Sequence, residues 1–211
     1  MIATETRADG VQVIRLDRAD KRNAMNGPMV QALLDALKAA GDDPSIKAVV
    51  LAGNGPGFSA GADLAEMKTL DGEARAARSA LTVALMEAPT LVPKPVVAAV
   101  NGAAMGAGAS LAIACDVVVM ADDARLAWPE AKHAMLPRLV APVLLRHLGP
   151  KVGFDLLATG RALDAKEALA LGLASRVVTH GALIEDACDA ALAAALLPPA
   201  SMAELKRMVH R

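Results

Sequence analysis

Two glycine-rich turns and one glutamate hold most of the chemistry open to this sequence. The first turn is Ser59-Ala60-Gly61-Ala62-Asp63 and the second is Gly106-Ala107-Gly108. Each follows a short apolar run, residues 48–52 and 96–100, and an Asn-Gly pair, at Asn54-Gly55 and Asn101-Gly102. A run without polar alternation reads as a strand buried on both faces. Glycine lets the backbone come close to a ligand, and the first amides of a helix have no partner inside it. Such a turn therefore offers donors to an anion, or to an oxygen that gains charge during a reaction. Either turn alone reads as the closure of a strand-to-helix connection. Repeated on one plan, the pair reads as two turns delivering amides to one place.

The carboxyl group is Glu130, in Trp128-Pro129-Glu130, just after an apolar stretch at residues 124–126 and beside the single Trp of the chain. By sequence alone it is either an acid/base or an exposed loop residue. Asp63 and Glu66 have the spacing of a capping box and read as structural. Arg18 to Asn26 forms a polar loop that carries Lys21 and Arg22.

The elements that position these residues follow from periodicity and punctuation. Strands are expected at residues 11–16, 48–52, 96–100, 117–120, 124–126 and 175–178. A helix should start at Asn26, with Pro28 in its first turn and Met29, Val30, Leu33, Leu34 and Leu37 on one face, and stop at Gly41. Residues 71–88 form an Ala/Arg-rich helical pattern with a weak apolar face, expected as a mobile cover. Further helices are expected at 141–148, 151–159, 164–171, 182–197 and 201–210, the last capped by a Ser201/Glu204 box. Strands predominate early and helices late, in an α/β chain with a core at 1–180 and a helical segment at 181–211.

At 211 residues the chain is of one-domain size. Its 22 basic and 23 acidic residues give a net charge of −1, which excludes nucleic acid and acidic membranes as default partners. No apolar stretch reaches membrane length and the N-terminus lacks a signal-peptide core, so a cytoplasmic protein is expected. Cys115 and Cys188 have no metal-ligand spacing and read as buried thiols, and no histidine cluster suggests a metal. His147, His180 and His210 read as surface residues. Aromatics make up only 1% of a chain that is 55% hydrophobic, a surplus that hints at burial between subunits.

Five stretches, in order, resemble the crotonase or enoyl-CoA hydratase/isomerase superfamily: DKRNAMN at 20–26, GFSAGADLAEM at 57–67, KPVVAAVNGAAMGAGASLAIACD at 94–116, the strand and Pro-Glu at 124–130, and TGRALDAKEALALGLASRVV at 159–178. The resemblance implies a ClpP-like superhelix of strand-strand-helix (ββα) units with a C-terminal helical part, assembled as a homotrimer or a hexamer. It implies acyl-CoA thioester substrates, with coenzyme A part of the substrate and no separate cofactor or metal. Ala62 and Ala107 match the two oxyanion-hole amides, Ala107 standing where a Gly is usual. Lys21, Ala24, Ala60 and Leu64 match positions along the nucleotide end of CoA, and Ser110 and Trp128 complete the expected substrate-binding set.

Hydratases of this kind use two glutamates, at the places of Ser110 and Glu130. Only Glu130 is present, which leaves a single acid/base able to shift a double bond, or to support hydration with Ser110 positioning the water. Residues 135–149 resemble a glutaconyl-CoA hydratase-like branch. Two alternatives stay open: an impaired paralogue that only binds acyl-CoA, and a thioesterase or hydrolase with Ser110 as nucleophile and His133 as base. Relatives are expected to continue beyond the position of Arg211, and Lys206 matches a lysine that in them approaches the CoA phosphate of a neighbouring subunit.

Overall fold

The computed structural model describes residues 1–210 and contains two sheets and nine α-helices among them. Strands β1 (Ile2–Thr6), β2 (Val11–Leu16), β3 (Ala48–Gly53), β4 (Val96–Val100), β6 (Val117–Ala121) and β9 (Arg176–Val178) lie side by side in that order, parallel except for the β1–β2 hairpin. Three short strands, β5 (Ala103–Met105), β7 (Arg125–Ala127) and β8 (Ala162–Asp164), form a second sheet. The chain visits the large sheet, turns, adds a short segment to the second layer, and then enters a helix. Bridges Met25–Ala62, Ser59–Ala104 and the pair Ala104–Leu126 set these segments next to one another, one superhelical turn beside the next.

The helices are α1 (Gly27–Asp42), α2 (Leu64–Thr69), α3 (Gly72–Leu91), α4 (Ala107–Ile113), α5 (Ala141–Leu145), α6 (Pro150–Thr159), α7 (Ala165–Ala170), α8 (Leu183–Ala194) and α9 (Pro199–Val209). Asn26 Oδ1 accepts the Met29 N–H at 3.0 Å and starts α1, which buries Met29, Val30, Leu33 and Leu37. All five residues of β4 are buried, as an apolar run without alternation requires. The Asp116 carboxylate accepts the Val96 N–H at 2.7 Å, so the end of one superhelical turn pins the start of its central strand. Helix α8 contributes Ala187, Cys188, Ala190 and Ala191 to the same core as the large sheet, so the 181–211 segment shares the core of residues 1–180.

Several expectations need correction. Helix α1 runs through Gly41 to Asp42 before Asp43 ends it. Helix α9 begins at Pro199, which leaves Ser201 inside the helix rather than at its cap. Helix α3 is no detached cover along its whole length. Its first turns are exposed, but Arg78, Thr82, Leu85, Met86 and Pro89 are buried and it packs on α1. Strands β1, β5 and β8 were not legible, being short and without an alternating pattern of their own. Lys206, matched to a lysine that approaches a neighbouring subunit's CoA phosphate, is here 3% exposed, paired with Asp116 at 2.7 Å and donating to the Pro89 carbonyl at 2.8 Å. His210 is half-buried against Asp116, whereas His147 and His180 are exposed. Among the described residues no helix is long and apolar enough to cross a membrane.

Candidate active site

The two glycine turns meet. The Met25–Ala62 bridge uses the Met25 N–H to Gly61 carbonyl bond (2.7 Å) and the Asp63 N–H to Met25 carbonyl bond (3.1 Å). A parallel bridge of this kind spends the groups on either side of Ala62 and turns Ala62's own N–H away from Met25. Gly61 has φ +87°, and a Cβ there would stand 2.5 Å from the Met105 carbonyl oxygen and 3.3 Å from the Ala107 nitrogen. Only a glycine lets the first turn lie so close on the second. Ala107 opens α4 after Gly106 (φ 52°, ψ −117°), and as the first residue of the helix its N–H has no intrahelical acceptor. Among the described residues neither the Ala62 N–H nor the Ala107 N–H donates a hydrogen bond.

Glu130 reaches this point through the second sheet. β5 and β7 pair in parallel, and the Gly106 N–H donates to the Ala127 carbonyl at 2.8 Å. The chain then passes through Trp128 into a 3-10 turn, Pro129–His133. A Cβ on Gly106 would sit 2.6 Å from Glu130 Oε1, so the carboxyl group lies against the residue that precedes Ala107. Burial raises the Glu130 pKa above the ordinary carboxylate range, with the nearby His133 pulling weakly the other way. Its Oε2 is buried without a hydrogen-bond partner among the described residues. Ala60, Ala62, Leu64, Ala107 and Glu130 line one cavity of about 640 Å³, within the range of small-molecule sites.

The remaining expected residues lie elsewhere. Ser110 and Trp128 are fully buried behind the cavity, where the Trp128 Nε1–H donates to Ser110 Oγ at 2.9 Å. Neither lines the cavity. His133 lines the cavity but forms no hydrogen bond to Ser110 among the described residues, so the proposed hydrolase pair is not assembled. Lys21 is exposed and Ala24 is half-buried. Both stand in the polar loop next to the cavity, to which Ala60 is tied by its N–H bond to the Arg22 carbonyl at 2.9 Å.

Sequence reasoning missed Arg78. Buried in α3, it donates to the Met25 carbonyl at 2.6 Å, to Thr82 Oγ1 at 2.6 Å and to Glu66 Oε2 at 3.1 Å. The Met25 carbonyl is the acceptor that also holds Asp63, so Arg78 braces the bridge that presents Ala62. Glu66 in turn accepts the Gly27 N–H at 2.8 Å. Asp63 caps α2 as expected, but the Glu66 side chain leaves the box and reaches α1 and α3 instead. Arg18 pairs with Asp63 at 2.6 Å and, by a hydrogen bond larger than its charge effect, holds that carboxyl below its usual range.

A two-layer superhelix of ββα units with its cleft where the layers turn is the crotonase fold. The chain belongs to the enoyl-CoA hydratase/isomerase family, whose model matches residues 6–211. A Thermus thermophilus relative assigned to the enoyl-CoA hydratases is 41% identical over 202 residues, covering 94% of this chain and 80% of the relative. The crystal structure of an enoyl-CoA hydratase from Mycobacterium smegmatis superposes with a TM-score of 0.93 at 33% identity, over 100% of this chain and 82% of that one. An enoyl-CoA hydratase from Bacillus anthracis gives 0.92 at 30% identity, with the same coverage.

Proposed function

We propose that the chain moves a proton on an unsaturated acyl-CoA, with the Ala62 and Ala107 amides binding the thioester oxygen and Glu130 as the single acid/base. The observation that carries this reading is that Glu130, the one acidic side chain on the cavity, shares it with two backbone amides that donate to nothing else. In isomerisation, the Glu130 carboxylate takes the α-proton of a β,γ-enoyl thioester. The C–H electron pair moves toward the carbonyl, and the resulting dienolate oxygen is held by the two amides. Glu130 then returns the proton to the γ-carbon, leaving the α,β-enoyl product. Removing one such donor typically costs about 3 kcal/mol of transition-state stabilisation. Burial that raises the Glu130 pKa brings it nearer neutral pH, where proton transfer in both directions is most efficient.

Hydration is the second reading, favoured by the relatives' names. There Glu130 takes a proton from the water that adds at the β-carbon and delivers one to the α-carbon. With Ser110 off the cavity lining, Glu130 is the acidic group left to hold that water. Isomerisation moves a proton and hydration adds water, neither with an external oxidant or reductant, so coenzyme A enters with the substrate and no separate cofactor is called for. Lys21, Ala24, Ala60 and Leu64 would border its nucleotide arm. A homotrimer or hexamer accords with exposed Phe154, Leu196 and Leu136, and a cytoplasmic, reducing setting accords with the free thiols Cys115 and Cys188.

The test is incubation with β,γ- and α,β-enoyl-CoA in deuterated water. Deuterium at the α- or γ-carbon without a hydroxyacyl product supports isomerisation, and a 3-hydroxyacyl product supports hydration. Tight binding of both thioesters with no turnover would replace the proposal by a binding-only role.

A further inference from the structure

The cavity carries an imbalance of charge that proton transfer does not use. Its ionisable lining consists of Lys68, Arg75, Arg78, Arg138, His133 and Glu130. Arg78 is neutralised by Glu66 at 3.1 Å. Among the described residues no carboxylate lies within 4.0 Å of Lys68, Arg75 or Arg138, although Arg7, Arg18 and Arg161 elsewhere are all paired. Three unpaired cations thus face one cavity in a protein whose net charge is −1. Arg75 is also held in place. Its Nη2 donates to the Met67 carbonyl at 3.0 Å and the Leu70 carbonyl at 3.2 Å, which fixes the guanidinium at the α2–α3 junction and leaves Nη1 and Nε as free donors. Nε and Nη1 point to different sides of the guanidinium, so each offers an anion a single charge-assisted hydrogen bond.

Resting on the thioester reading above, we infer that the acyl group taken by this cavity ends in a second carboxylate, bound by Arg75 with Lys68 and Arg138. The polar loop of Lys21 and Arg22 joins the cavity at Ala60, the side assigned to the nucleotide arm. Arg75 and Arg138 stand on other walls, the first turn of α3 and the segment before α5, and Lys68 lies at the end of α2, one turn along from Leu64. On this inference an acyl chain whose thioester oxygen lies at Ala62 and Ala107 extends toward those walls. A hydrocarbon tail would displace water from the three cations and give nothing back, whereas a terminal carboxylate supplies the missing counter-charge. The same cations could instead meet a CoA phosphate, and the two sources of anion are separable.

Calorimetric titration of the full chain with hexanoyl-CoA and adipyl-CoA, saturated thioesters of equal length ending in methyl and carboxylate, is the direct test. Adipyl-CoA should bind about tenfold more tightly. Arg75→Met should weaken it by about the same factor and hexanoyl-CoA by far less. The preference should persist with the matching pantetheine thioesters, which lack the nucleotide phosphates. The inference is overturned if hexanoyl-CoA binds as tightly as adipyl-CoA. It is also overturned if Arg75→Met weakens both CoA thioesters equally and neither pantetheine thioester, which would assign Arg75 to phosphate. Binding of unreactive thioesters is read apart from turnover. A carboxylate preference without turnover of the matching enoyl thioesters would sink the acid/base reading alone, and turnover without the preference would sink this inference alone.

Discussion

Glu66 and Glu130 both stand in the first turn of a helix beside the same cavity, and their surroundings are opposite. Glu66 accepts the Gly27 N–H and pairs with a buried arginine, so its charge is matched on all sides. Glu130 is pressed against Gly106 with Oε2 unpartnered, and burial disfavours its charge. A satisfied carboxylate has its lone pairs committed and joins three elements. An unsatisfied one costs the fold free energy and keeps its lone pairs for a substrate. The proposed acid/base role of Glu130 rests on this contrast.

The sharpest way to break this comparison is Glu130→Gln. Steady-state kinetics should show kcat reduced by about 10²- to 10⁴-fold, the usual share of a positioned acid/base. Thermal unfolding should show no loss of stability. The raised pKa means that the folded state favours the protonated form. Wild-type Glu130 therefore costs nothing below the ordinary carboxylate pKa, and the cost grows as pH rises through the ordinary and then the folded value. The variant should consequently be the more stable protein at neutral pH, and the difference should vanish in acid. The acid limb of the wild-type pH–rate profile should likewise lie above the ordinary carboxylate range. Undiminished turnover in Glu130→Gln would remove the basis for treating the two glutamates differently.

Arg78→Ala should have the converse effect. Chemical denaturation should register a loss of about 3 kcal/mol, because Glu66 and the Met25 carbonyl lose a buried charged donor together. Arg78→Lys, which keeps the charge but not the three-way reach, should recover roughly half of it. Equal stability of Arg78→Ala and wild type would show that the Glu66 network is not what holds α1, α2 and α3. The smallest and most local change is Gly106→Ala. At φ 52° and ψ −117° the new Cβ would strain the backbone by about 1–3 kcal/mol and meet Glu130 Oε1. Displacing that carboxyl group should lower kcat on the order of tenfold to a hundredfold with a smaller change in KM. A variant with wild-type kcat would show that Glu130 has room to move.

Much of this was legible in the residue string, and the reasons are local. The apolar runs of β3 and β4 cannot face water, Asn26 and Asp63 are cap types at cap spacing, and the two turns hold Gly61 and Gly106 at positive φ. These features involve neighbours a few positions apart, so they can be read before the chain is folded. The five motifs likewise place the chain in its family, because their order survives without coordinates.

Only the tertiary structure decided which polar groups are spent and which are spare. Ser110 and Glu130 both looked available in sequence. One is committed to Trp128, eighteen positions away, and the other is left facing the cavity. Arg78 looked like one of several arginines on an exposed helix until Met25, 53 positions earlier, supplied its acceptor. Lys206 carried no sign in sequence of its partners, the Pro89 carbonyl and Asp116, which enclose it in the fold. A hydrogen bond or ion pair depends on a few tenths of an ångström between residues far apart in the chain, and nothing in local sequence encodes that distance. Propensity and pattern fix the elements, but their packing fixes the partners, and with the partners the chemistry.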